Sequence, residues 1–208
     1  MMVDTQVRPS DVTKFPIISA MLDVPREAFV PSGAREVAYM DAPIPLGDGR
    51  EMPDARVLAK MLDALDVRIE DNVLILGGNY GYSTAILSRM ADSVVMIEPD
   101  AAMVAEAETA LASIEAHNAV VLQDEPTKGA AKAGPFDVIL IEGGVERIPD
   151  AITEQLREGG RIAAAFQSGT LGEVRVGRMT DGHIGWRFAF NAGAPVLPGF
   201  AAERGFAF

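Results

Sequence analysis

Between residues 54 and 166 short apolar runs alternate with stretches of helical period. Asp54 stands where it can cap a helix whose inner stripe is Val57, Leu58, Met61, Leu62 and Leu65, spaced as one face of a 3.6-residue repeat demands. Runs rich in β-formers at Asn72–Leu76, Ser93–Glu98, Ala119–Gln123, Phe136–Glu142 and Gly160–Phe166 read as strands. Helices fall between several of them, at about Gly81–Met90, after a capping Asp100 with Met103, Val104, Ala107 and Leu111 on one side, and near Pro149–Leu156. Strands that alternate with helices pair in parallel and are covered on both faces, so the expected fold class is α/β, a single doubly wound, mostly parallel sheet.

The flanks keep a different rhythm. From Asp11 to Leu22, Val12, Phe15, Ile18, Met21 and Leu22 recur at helical spacing, with Ser10 or Asp11 as the expected N-cap. The following stretch to Pro53 is full of Pro, Gly and charge but carries Phe29, Val30, Tyr39 and Ile44, which marks ordered loops packed over a site. Beyond Gln167, polar and apolar residues alternate around Asp181-Gly182, a hairpin dipeptide, predicting antiparallel strands at one sheet edge; the closing residues 191–208 read as packed coil. The chain is therefore expected to be one domain, with an N-terminal helix and entry loops over 1–53, an α/β core over 54–166, and C-terminal strands and tail over 167–208.

Composition removes several function classes. A formal net charge of −12 would repel a phosphate backbone, so no nucleic-acid partner is expected. The absence of cysteine excludes disulfides and thiolate chemistry, and His117 and His183 lack ligand spacing, leaving no support for a metal site or hydrolytic triad. No apolar run approaches the ~18 residues of a membrane span and the start is polar, so a soluble, cytoplasmic protein is expected. Nothing in the pattern sets the oligomeric state.

The chemistry-bearing stretch is Val73 to Leu87, "VLILGGNYGYSTAIL", where a strand breaks into Gly77-Gly78-Asn79-Tyr80-Gly81 and passes at once into a helix. Glu98 ends the next strand 21 residues after Gly77, close to the ~20 at which an acid grips the ribose of a nucleoside cofactor. Nicotinamide enzymes with G-x-G-x-x-G would need glycine at positions 79 and 82, where Asn79 and Tyr82 stand; the G-x-G-x-G spacing of S-adenosylmethionine enzymes retains Gly81. The blander alternative is that the glycines only close a tight turn and pack a helix on a strand, with Glu98 a solvated carboxylate.

Longer segments carry a family resemblance. "VPREAFVPSGAREVAYMDAPIPLGDGR" resembles the entry region of protein-L-isoaspartate O-methyltransferases, V-P-R-E-x-F-V-P followed by A-Y-x-D-x-P-L-P-I-G-x-G-Q, and "FDVILIEGGVERIPDAITEQLREGGRIAAAF" resembles their F-D-x-I-I-V-x-A-A…P-x-x-L-x-x-Q-L-x-x-G-G-R-L-V. The likeness spans about Val24 to Phe166. It implies a methyltransferase that uses S-adenosylmethionine (SAM) to methylate an isoaspartyl carboxylate in damaged proteins or peptides. It further implies that Gly77, Gly78, Asn79 and Gly81 lie against the methionine portion of SAM, that Glu98 binds the ribose, and that Asp124 contacts the adenine. By its residue type Asp124 is equally a turn residue.

The pattern also breaks. Where the family reads G-Q-T-I-S-Q-P, this chain has Gly49-Arg50-Glu51-Met52-Pro53-Asp54-Ala55, so Pro53 replaces the Ser that positions the substrate carboxylate and no catalytic residue is assigned. Glu51 and Asp54 add charge unfavourable to an anionic acceptor. Ile75 replaces the acid two residues before the first loop glycine, Asn79 the second glycine, and Tyr80 is expected to fill part of the methionine cavity. A carboxylate acceptor is already ionised at neutral pH and needs no general base, so losing a hydroxyl need not end transfer. Two alternatives stay beside the leading reading: a family relative that has lost catalysis and serves as a binding protein, and a methyltransferase with another acceptor. A nicotinamide oxidoreductase is disfavoured by the loop spacing.

Overall fold

The computed structural model describes residues 2–202; Met1 and residues 203–208 lie outside the description. The chain begins with turns of π and 3-10 helix over Val3–Ser10 before α1 (Phe15–Asp23). A two-stranded antiparallel hairpin, β1 (Ile44–Gly47) with β2 (Arg50–Met52), precedes α2 (Ala55–Leu65). The core then runs β3 (Asn72–Leu76), α3 (Tyr82–Ser88), β4 (Ser93–Glu98), α4 (Ala101–Ser113), β5 (Ala119–Gln123), β6 (Phe136–Val145), α5 (Asp150–Thr153) and β7 (Leu156–Ser168), and closes with β8 (Leu171–Thr180) and β9 (His183–Asn191).

The main sheet has seven strands in the order β5-β4-β3-β6-β7-β8-β9. β5, β4, β3, β6 and β7 are parallel neighbours, and β8 and β9 add on antiparallel, as the alternation around Asp181-Gly182 predicts. Both of those turn residues have positive φ, 51° and 74°, the conformation a two-residue hairpin turn requires. From β3 the chain steps outward to β4 and β5, then returns to the other side of β3 as β6. In a parallel sheet such a reversal opens a crevice beyond the strands' carboxyl ends.

Side chains of β3 alternate between two apolar layers. Val73 and Ile75 face a layer with α1 to α4, whereas Leu74 and Leu76 face one built from Phe136, Ile139, Ile152, Leu197 and Phe200. Burial on both faces explains why the strand reads as an unbroken apolar run. Asp54 caps α2 by accepting from Val57 N at 2.8 Å, and Asp100 caps α4 by accepting from Ala102 and Met103 N at 2.8 and 3.0 Å.

Some boundaries differ from the sequence pattern. Neither Ser10 nor Asp11 caps α1: Asp11, at φ 66°, closes the preceding turn, and the helix starts at Phe15 with Pro16 in its first turn, where a missing N–H costs nothing. The entry loops include the hairpin β1–β2, hidden in the sequence by its Pro and Gly content. α5 has only four residues, because the chain enters β7 at Leu156, opposite Phe136, rather than at Gly160. Of the closing coil, the described part is packed: Leu197 and Phe200 are buried, and Gly144 N donates to Pro195 O while Leu197 N donates to Gly144 O. Its last six residues lie outside the described ones. Among the described residues no helix is long and apolar enough to cross a membrane.

Candidate active site

β3 and β4 end side by side at the crevice. Gly77, at φ 73°, leaves β3 with its N–H donated to Ile97 O at 2.9 Å. Asn79 takes φ 54°, a left-handed conformation that Asn tolerates better than other non-glycine residues, so the turn survives the loss of the second family glycine. Gly81, at φ 88°, starts α3. A Cβ on Gly78 would stand 2.7 Å from Met96 Cγ and Sδ, and one on Gly81 3.2 Å from Ala107 Cβ. Those two glycines therefore serve the close seating of the loop on β4 and α4, whereas Gly77 lines the cleft, where a Cβ would stand 3.1 Å from Leu197 Cδ1.

Glu98, fully buried at the end of β4, is the hub of the site. Its Oε1 accepts from Arg50 Nη1 at 2.5 Å and Asp100 N at 3.0 Å, and its Oε2 from Arg50 Nη2 at 2.6 Å and Asn79 N at 2.9 Å. Arg50 Nη2 also donates to Asn79 Oδ1 at 2.7 Å. This forked pair is the strong, geometrically specific form of ion pair, and the Arg50 side chain is only 12% exposed. Burial opposes the Arg50 charge, but the hydrogen bonds and charge of Glu98 outweigh it, so the guanidinium pKa is raised. Glu98 is not a solvated strand end.

A second acid, which the sequence pattern did not single out, stands beside it. Glu142 occupies the matching place on β6, buried, with Ser83 Oγ donating to its Oε2 and Asn79 Nδ2 3.5 Å from its Oε1. Burial pushes its carboxyl up to about 7, against hydrogen bonds from Ser83 and Asn79 that favour the ionised form. The signal was present in the sequence: "VVMIE" and "VILIE" each end an apolar run with a lone acid.

Two hollows flank this network. A cleft of about 270 Å³ runs from Arg50 and Gly77 past Pro99 to Glu125, Pro126 and Thr127, with Leu197 and Pro198 forming its other wall. A smaller cavity of about 40 Å³ lies under Pro53, Glu51, Asp54, Leu140 and Glu142, and among the described residues no Lys or Arg lines it. Pro53 leads into the α2 cap and its carbonyl accepts from the buried Arg26 at 2.6 Å, a positioning role without a hydroxyl. Asp124 does not line the cleft. It is a surface turn residue whose Oδ1 accepts from Glu125 N at 2.7 Å and Lys128 Nζ at 3.0 Å, and the cleft beside it is lined by Glu125, Pro126 and Thr127. Tyr80 packs half-buried against the apolar layer, and the side chain that stands on Glu98 is Arg50.

A doubly wound sheet with an antiparallel C-terminal edge, a glycine turn after β3 and an acid after β4 defines a Rossmann-like methyltransferase fold. The family model for protein-L-isoaspartate(D-aspartate) O-methyltransferase matches residues 2–187, and this chain belongs to that family. The protein-L-isoaspartate O-methyltransferase of Syntrophus aciditrophicus is 37% identical over 181 residues, covering 86% of this chain and 83% of the relative. That of Methanoregula boonei is 36% identical over 175 residues, covering 84% and 81%. A solved protein-L-isoaspartate O-methyltransferase superposes with TM-score 0.81 at 21% identity over 92% of this chain, which spans 63% of that longer chain. A Plasmodium falciparum structure described as such a methyltransferase in complex with S-adenosyl-L-homocysteine gives TM-score 0.79 at 16% identity, covering 91% and 93%.

Proposed function

We propose that this chain is a SAM-dependent carboxyl methyltransferase acting on isoaspartyl residues of damaged proteins or peptides. The observation that carries the reading is the family match over residues 2–187, combined with a buried acid on β4 beside the Gly77 cleft. The residues present suit an adenosyl group. Once Arg50 turns away, Glu98 would offer one accepting direction on each oxygen to a ribose diol, Gly77 brings no side chain to the cleft, and Pro99 and Pro126 offer flat apolar walls to a base. Asn79 shapes the turn, while Gly78 and Gly81 let it approach β4 and α4. When bound, SAM supplies an activated methyl group. The chain's own task is to seat the acceptor oxygen and exclude water, effects together worth up to about 10 kcal/mol, with no base required for an ionised carboxylate.

A second reading, a family member that binds without transferring, is favoured by Arg50 on Glu98 and by Pro53 in place of the hydroxyl. Labelled methyl groups presented with an isoaspartyl peptide and its aspartyl twin separate the two. Transfer confined to the isoaspartyl peptide is the expected result. Cofactor binding with no label on either peptide would point to another acceptor or to the second reading, and against transfer to isoaspartyl carboxylates.

A further inference from the structure

Both oxygens of Glu98 carry two donors each, and one member of each pair comes from Arg50. If the guanidinium leaves, each oxygen keeps one backbone N–H, from Asp100 or Asn79, and regains one accepting direction. Two free accepting directions on one carboxylate match the two hydroxyls of a vicinal ribose diol. Arg50 and a nucleoside thus compete for the same two acceptor directions and cannot hold them together.

The element carrying Arg50 is built to release it. β1–β2 forms its own two-stranded sheet, outside the seven-stranded one. Its tip runs through Gly47, Asp48 and Gly49 at φ 90°, 48° and 70°, and an added Cβ at either glycine would meet nothing within 4 Å. Arg50 directly follows this uncrowded tip and faces the 270 Å³ cleft, so its fork can turn outward without passing through packed core. Its position is the one where the family resemblance expects Gln, a neutral side chain unable to form an ion pair with Glu98.

We propose that Arg50 is a built-in occupant of the nucleoside site, a specificity-determining residue that an adenosyl ligand must displace from Glu98 and that sets the affinity for it. The proposal rests on the functional reading above, since it takes Glu98 as the ribose acceptor. It predicts that the chain binds adenosyl ligands more weakly than its pocket allows, because part of each binding event goes into breaking a forked, largely buried ion pair.

The test is calorimetric titration of S-adenosyl-L-homocysteine into the wild-type protein, Arg50→Gln and Arg50→Lys. Arg50→Gln is expected to bind at least tenfold tighter than wild type. Arg50→Lys, which keeps the charge but loses the fork, should fall between them and decides the matter if the Gln variant does not fold. Variants that bind no tighter than a wild type that does bind would overturn the role of Arg50 and leave the cofactor assignment standing. Binding by none of the three would overturn both.

Discussion

Glu98→Ala is expected to lower the unfolding free energy by about 2–6 kcal/mol, because two backbone N–H groups at a buried strand end lose their acceptor, each typically costing about 1–3 kcal/mol. Ala strips the N–H groups of Asn79 and Asp100 of their acceptor and leaves the Arg50 guanidinium with Asn79 Oδ1 and the cleft it lines. Against a typical total of about 5–15 kcal/mol this is a large share. Urea unfolding of wild type, Glu98→Ala, Arg50→Gln and the double variant reads it directly. The double variant should lie close to Glu98→Ala, because a guanidinium that can turn into the cleft adds little penalty of its own once its partner is gone. A Glu98→Ala loss below about 1 kcal/mol, in the range of an exposed pair, would show that the network is not the buried hub described. The same variant should bind S-adenosyl-L-homocysteine less well, the ribose having lost a charged acceptor typically worth about 1.5–3 kcal/mol.

Glu142→Gln should remove a pH dependence of stability that the wild type carries. In the folded protein the Glu142 carboxyl keeps its proton up to about pH 7, whereas in the unfolded chain it releases it near 4.5. Across that window the folded form binds more protons, so raising the pH lowers the unfolding free energy, fully so once pH passes about 7. A shift of this size corresponds to about 3 kcal/mol. Gln cannot ionise and still offers Ser83 and Asn79 hydrogen-bonding partners, so the variant should gain on the wild type between pH 5 and 7.5 and be clearly more stable at pH 8. A wild-type-to-variant difference that stays constant from pH 5 to pH 8 would refute the buried protonated acid.

Much of this molecule was readable from its residues, for physical reasons that also mark where reading stopped. β3 and β4 announced themselves because burial on both faces forces unbroken apolar runs, and α2 and α4 because Asp54 and Asp100 can cap only from their own positions. Gly77 and Glu98 were legible as a pair because a parallel sheet places consecutive strand ends side by side. Arg50 was not, since it reaches Glu98 across 48 positions of chain from a hairpin whose Pro and Gly content hides the strand period. Its only mark was a cation where the resemblance expects Gln. Asp124 shows the opposite case: the resemblance assigns it the base, while its carboxylate accepts from Lys128 one helical turn on, at the surface. Gly78 and Gly81 suit both the cofactor and the packing readings of the turn, and their neighbours Met96 and Ala107, on β4 and α4, are set by the fold rather than by the loop's own sequence.

The most direct test of the whole account is a crystal structure determined with S-adenosyl-L-homocysteine. The adenosyl ribose should lie on Glu98 with its base between Pro99 and Pro126, and the Arg50 guanidinium should have turned away from the carboxylate. A structure at saturating ligand that still shows Arg50 forked on Glu98, with the nucleoside elsewhere or absent, would contradict it.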